Sequence, residues 1–212
     1  RNGFQLRIAD YDALSSVSGE EIAKNFNREV QANARAIAEA ENKMLLLGDA
    51  SLGLQGLLTV NGIRTETFGT PYATSTGADL VNEFVRIADQ FENGALENEV
   101  FTARTLVMDS TLYATLMNNY SATTDTGEPI LNKLQARGLF GRILKLKDFK
   151  DRVTGKPKMM ILDDVSTNFE AIMIQEPVYE SWTEARTTKI AIEEKISEVI
   201  AYYPQAIMDI IV

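Results

Sequence analysis

The chain has 212 residues, 45% of them hydrophobic, enough for one large domain or two small intertwined ones. It contains no Cys and no His, which excludes disulfides, thiolate nucleophiles, Cys- or His-ligated metals, and Ser-His-Asp or Cys-His catalysis by its own side chains. Its formal net charge of -9 opposes a grip on nucleic acid, which requires neutralised phosphates, and no apolar run approaches the roughly 18 residues that span a bilayer.

Residues 4–8, FQLRI, alternate apolar and polar and predict a strand end. After the connection YDALSSVSG, Ser18 stands three residues before Glu21, the spacing of a capping box. Ile22, Phe26, Val30, Ala34, Ile37 and Met44 then recur at intervals of three, four and seven and form one apolar stripe. Lys24, Arg28, Gln31, Arg35, Glu39 and Asn42 occupy the opposite face. The pattern predicts a single helix over 18–47, about 30 residues and about 45 Å long, ending where Gly48 supplies a left-handed cap. Globular helices average about three turns, so this length suggests a strut.

Gly48, Gly53 and Gly56 space a compact turn before Leu57 and Leu58. The following stretch is polar, with Asn61-Gly62 as a tight turn. Thr76 and Asp79 open a second helix carrying Leu80, Phe84, Ile87 and Phe91, closed near Gly94. Thr105 to Met108 reads as a strand, with Asp109 or Ser110 capping a brief helix through Leu112 and Leu116. Residues 118–128 read as a polar loop, and Pro129 starts another short helix that stops at Gly138. Strands follow at RILKL, KMMIL and AIMI, with a hairpin turn at Thr154-Gly155-Lys156-Pro157. The closing KIAIEEKISEVIAYYPQAIMDIIV reads as two strands with no clear break between them. Helices first and strands later indicate an α+β class rather than regular βαβ winding.

No motif carries catalysis. The three glycines follow a helix rather than a strand and lack dinucleotide spacing. The Gly155-Lys156 pair lacks both the upstream glycine and the following Ser or Thr of a phosphate loop. Asp163-Asp164 and Glu193-Glu194 are adjacent carboxylates; strand neighbours point to opposite faces, so both pairs are expected on solvated surface. A pocket gathering three or more of Asp163, Asp164, Glu193, Glu194 and Lys195 would instead favour a hydrolase or transferase. Asn119-Tyr120-Ser121 is a formal glycosylation sequon of a kind frequent by chance. Trp182 is expected to be partly buried packing. Lys24, Arg28, Arg35 and Glu39 form either a solvated face or a charged face between subunits.

The segment NKMLLLGDASLGLQGLL, with Gly48-Asp49 and Gly53-Leu54-Gln55-Gly56-Leu57-Leu58, resembles the major capsid proteins of tailed bacteriophages and the related encapsulin shell proteins. In that Hong Kong ninety-seven-type fold a long spine helix ends in a Gly-Asp turn. TLVMDSTLYATLMN is similar to the family's strand-then-short-helix step, and Tyr203-Pro204-Gln205-Ala206-Ile207 to its closing Pro-x-Ala-Ile pattern. The resemblance runs from about residue 4 to the end, and the order of its motifs carries it more than any single one.

The resemblance implies a peripheral domain at 1–104 with the spine helix at 18–47 and a residual extended-loop strand at 1–14. It implies an axial domain at 105–185, and C-terminal strands at 186–212 that return to the peripheral domain. The family's N-terminal arm and most of its extended loop are expected to be absent, with Arg1 a trimmed or processed end. The implied function is structural: copies of the chain, as hexamers and pentamers, build an icosahedral virion shell around double-stranded DNA that they do not read by sequence. Assembly is expected in the bacterial cytoplasm, with scaffolding, portal or decoration proteins as partners. No membrane, catalytic residue, cofactor or metal is implied, and Gly48, Asp49, Gly53 and Gly56 form the structural turn after the spine. The alternative is an encapsulin-like compartment around a cargo enzyme.

Overall fold

The computed structural model describes residues 2–7, 19–94, 100–118, 128–151, 154–184 and 187–212. Side chains are described outside 2–7, 19–23, 25–26, 29, 172–184 and 187–197. The expected capping box at Ser18, the polar loop's centre, the sequon and the Trp182 side chain therefore lie outside the described residues. The chain packs as two compact units: residues 1–56 with 171–199, and residues 57–170 with 200–212. The stretch 57–104 belongs by packing to the second unit.

In the first unit, α1 (Gly19–Leu47) is one uninterrupted helix of 29 residues. Val30, Ala34, Ile37 and Met44 are half-buried along one stripe, and Gln31, Arg35, Glu39 and Asn42 are exposed on the other side. The three- and four-residue spacing of the apolar positions produces that division. The helix lies against β1 (Asn2–Arg7). β1 pairs antiparallel with β7 (Thr187–Ala201), Phe4 opposite Ile190, and β6 (Phe169–Glu184) completes a three-stranded sheet in the order β1-β7-β6.

The second unit is built on a five-stranded mixed sheet. Its strands are β2 (Arg64–Thr67), β3 (Thr105–Asp109), β4 (Arg142–Leu146), β5 (Met159–Leu162) and β8 (Ile207–Ile211), in the order β2-β8-β5-β3-β4. β3 and β5 are buried along their whole length, as central strands must be, whereas the outer strands β2 and β4 alternate or lie open. Three helices cover one face: α2 (Gly77–Asn93), α3 (Ser110–Leu116) and α4 (Ile130–Ala136). The core joins Leu80, Phe84, Ile87 and Phe91 of α2 to Leu106 and Met108 of β3, Met159 and Ile161 of β5, and Met208 and Ile210 of β8. Each such side chain, fully withdrawn from water, contributes about 1.5–3 kcal/mol before entropy is counted.

The helix signals act locally. Thr76 accepts from the Asp79 amide, and the Asp79 carboxylate accepts from Thr76, a complete capping box; Gly94 closes the helix. Asp109 Oδ1 accepts from the Thr111 amide at 2.8 Å and caps α3. Pro129 opens α4, and Gly138, at φ +64°, follows it.

Strand connections depart from two expectations. The hairpin turn expected at Thr154–Pro157 is present as a short antiparallel reversal, in which Asp151 N donates to Lys156 O, Lys158 N donates to Phe149 O and Lys150 pairs with Pro157. It does not bring β4 beside β5, because β3 lies between them. β3 pairs parallel with β4, Thr105 opposite Arg142. The two strands are joined through α3 and α4, so one βαβ-type crossover sits inside the α+β class. The unassigned break in the C-terminal segment falls at Tyr202–Ala206, where Pro204 begins a single 3-10 turn.

Candidate functional site

The turn after the spine helix is built from backbone contacts. Gly48, at φ +63°, donates its amide to Met44 O and ends α1. The chain then reverses: Asp49 and Leu54 exchange hydrogen bonds at 2.9 Å in each direction. Asp49 Oδ1 accepts from the Ser51 amide and hydroxyl, which fixes the tip. Gly56 comes back against the helix end, and a Cβ there would stand 2.7 Å from the Leu46 carbonyl carbon. Gly53, at φ +69°, sits at the open tip. Beyond the turn, Val199 of β7 donates to Gln55 O at 3.0 Å and is buried. Spine helix, turn and long C-terminal strand are thus tied by main-chain bonds.

The four charged positions Lys24, Arg28, Arg35 and Glu39 are all exposed on α1. Their spacings of four, seven and four keep them on one face. Among the described residues, none meets an opposite charge within ion-pair distance.

The paired carboxylates are placed otherwise than expected. Asp163 is only 5% exposed: its Oδ1 accepts from Arg104 Nε at 2.7 Å and its Oδ2 from the Thr102 amide at 3.2 Å. Asp164 accepts from Arg142 and from the Thr105 hydroxyl. The expectation of solvated surface is corrected here. Both carboxylates close ion pairs that fasten the segment after β5 to β3 and β4, and loss of either arginine would leave a carboxylate withdrawn from water without its partner. The side chains of Glu193, Glu194 and Lys195 lie outside the described residues. Among the described residues no three acidic side chains gather as a metal site would need.

The sequence reading missed a second network. Arg86 donates to Glu83 at 2.6 Å and to Glu66 at 2.8 Å, and Glu83 Oε1 also accepts from the Gly69 amide at 2.6 Å. The Arg86 hydrogen bonds hold the Glu83 carboxyl below the usual carboxylate range, and Glu83 and Glu66 push the Arg86 guanidinium up. Arg64 donates to the carbonyls of Gln90 and Phe91 at the end of α2, and burial lowers its pKa. The alternation of RTET on β2 hinted at one charged face, but its partner lies about 20 residues away along the chain. Tyr72 is buried with its hydroxyl on Leu112 O at 3.0 Å, and burial raises its pKa.

These contacts brace elements; they do not converge on a reacting atom. The family model described as major capsid protein matches residues 15–210. The chain belongs to the major capsid protein family. No curated protein matches it significantly. Among solved structures, this capsid protein is similar to the capsid of Myoviridae phage XM1, with a TM-score of 0.72, 13% identity, and coverage of 99% of this chain and 71% of that one. It is similar to a virus-like particle from Pyrococcus furiosus, with a TM-score of 0.66, 14% identity, and coverage of 99% and 74%. It also resembles a protein of Mycobacterium phage Che8, with a TM-score of 0.59, 15% identity, and coverage of 99% and 69%. The fold is that of phage capsid proteins, and the role of the family is structural. No described helix of the capsid protein is long and apolar enough to cross a membrane.

Proposed function

We propose that copies of this capsid protein tile a closed icosahedral shell, as hexamers and pentamers, around the double-stranded DNA of a tailed phage or prophage. The family match over residues 15–210 carries the proposal. In the shell, the unit holding α1 takes the peripheral role and the five-stranded unit the axial role. Closed symmetry repeats each contact many times, so individually weak contacts sum to a stable wall. The continuous spine helix serves as the rigid strut of each tile. Its exposed face at Lys24, Arg28, Arg35 and Glu39 meets neighbouring copies, and the turn at Gly48, Asp49, Gly53 and Gly56 fixes the chain's exit from it.

A net charge of -9 suits a container that must hold DNA without adhering to it. The shell forms in the bacterial cytoplasm with scaffolding, portal or decoration proteins. Negative-stain electron microscopy of the expressed full-length gene product tests the proposal. Uniform hollow particles are expected, and a protein that stays monomeric across salt and concentration would sink it.

A second reading is a compartment around a cargo protein, favoured by the likeness to the Pyrococcus furiosus particle. The contents separate the two. Nuclease-protected double-stranded DNA in particles from infected or induced cells supports the virion, and a single co-purifying enzyme supports the compartment.

A further inference from the structure

Charge is divided unevenly along the capsid protein. Residues 137–158 hold eight Lys or Arg and two Asp, within a chain of net charge -9. This run contains β4, the outer strand of the five-stranded sheet, and the tight loop after it. Arg142, Leu144 and Lys145 of β4 are exposed, as is Lys147 just beyond it. Three of the basic groups are neutralised nearby: Arg142 by Asp164, Lys150 by Asp148 and Lys158 by Asp209. Arg137, Lys145, Lys147 and Lys156 meet no carboxylate within ion-pair distance among the described residues. Lys145 lies over the Tyr113 ring, 5.4 Å from its centroid, and stays in reach of solvent.

Lysines on an outer strand have a plainer use, which is to stop that edge from pairing with another strand. That use accounts for Lys145. It does not account for a basic run that continues past the strand into a loop, nor for Leu144, 41% exposed in the middle of the run.

The far end of the same sheet carries the opposite sign. α2 is bound along β2 by the Arg86 and Arg64 contacts. Residues 64–93 hold five acidic and two basic side chains. Both arginines are ion-paired or hydrogen-bonded within the unit. Among the described residues, Asp79, Asp89 and Glu92 are exposed and accept only from neutral groups, Thr76, Asn93 and the Ala103 amide, so their charges are not neutralised there. A body that is positive at one end and negative at the other matches a copy of itself head to tail. Such heterologous contacts close into rings.

We infer that β4 and the loop following it dock against the acidic α2 end of a second copy of this chain. The inference rests on the shell reading above and assigns it a specific contact surface. A second copy fits better than DNA for two reasons. An approaching duplex meets the negative field of the whole chain. An exposed leucine among the cations matches an apolar spot on a protein, not a phosphate backbone.

The test is charge reversal in the full chain. Lys145→Glu with Lys147→Glu places like charges across the contact. At about 0.1 M salt, roughly tenfold fewer oligomers and particles are expected by sedimentation velocity and electron microscopy, with the circular dichroism melt unchanged. Adding Asp89→Lys, together with Asn82→Lys at an exposed neutral position of the same helix, makes the α2 end positive and restores assembly. If the reversed chain melts early, Lys145→Gln with Lys147→Gln replaces it, with a smaller loss expected in the same direction. Three results overturn the inference: unchanged assembly, loss that the exchanged signs do not restore, or loss of double-stranded DNA retention in a gel shift while assembly persists. Unsubstituted protein that never associates overturns the shell reading and this contact together. Unsubstituted protein that assembles while the reversed chain assembles equally well overturns this contact alone.

Discussion

Gly48 and Gly56 approach so closely that a Cβ on Gly56 would stand 2.2 Å from the Gly48 nitrogen. A Cβ on Gly48 would stand 2.3 Å from the Leu54 carbonyl oxygen. Both neighbours are backbone, which cannot swing aside. Gly48→Ala and Gly56→Ala are each expected to cost about 2–4 kcal/mol, read as a lowered urea midpoint. A methyl group at Gly53 would find nothing within 4 Å, so Gly53→Ala meets only its positive φ, about 1–2 kcal/mol. Equal losses at all three would contradict this account of the turn.

Glu83 links β2 to α2 through Gly69 and Arg86. Its folded pKa lies below the unfolded value of about 4.3, chiefly because of the Arg86 hydrogen bonds. Its stabilisation is therefore complete above that value and is lost as pH falls through the folded one. Glu83→Gln is expected to cost about 1–3 kcal/mol at neutral pH and to flatten the acid limb of the stability profile below about pH 4. Unchanged acid sensitivity in the variant would refute the role.

Phe84 is fully buried and stands edge-on to Phe68, Tyr72 and Phe140, with ring centroids 5.3, 6.3 and 6.1 Å away. Phe84→Ala is expected to cost about 3–5 kcal/mol. Tyr72→Phe keeps the ring and removes the bond to Leu112 O, so a loss of about 1 kcal/mol is expected. A thermal melt that orders these two the other way would count against the core described above.

Arg28 and Arg35 are exposed on the spine helix. Arg28→Glu with Arg35→Glu is expected to move stability by no more than about 0.5 kcal/mol per site while lowering particle yield. Ala36→Pro, at another exposed position of the helix, should cost about 3 kcal/mol, because α1 continues unbroken past it. A melt unmoved by the proline would mean that the rod is not continuous there.

Helix ends were legible in the sequence wherever a single turn of chain holds the whole signal. Thr76 with Asp79 and Asp109 with Thr111 act within three residues, and Pro129 and Gly138 each mark one end of α4. The fates of Asp163 and Asp164 were not legible, because their partners Arg104 and Arg142 lie 59 and 22 residues away. Adjacent carboxylates look alike in sequence whether they face water or a guanidinium.

From its sequence alone the protein was committed to a long amphipathic rod, a glycine turn and a closing pair of strands. Periodicity and turn chemistry are local properties, and the chain's neighbours in sequence are enough to satisfy them. The folded state alone decided that β4 lies parallel to β3 at the open end of a mixed sheet and that β5 lies on β3's other side. It thereby set the basic run 137–158, which includes β4, and the acidic stretch 64–93, which includes β2, on opposite outer strands of one sheet. Strand pairing joins residues far apart in the chain through backbone groups that every residue carries, so its order emerges only when the core closes.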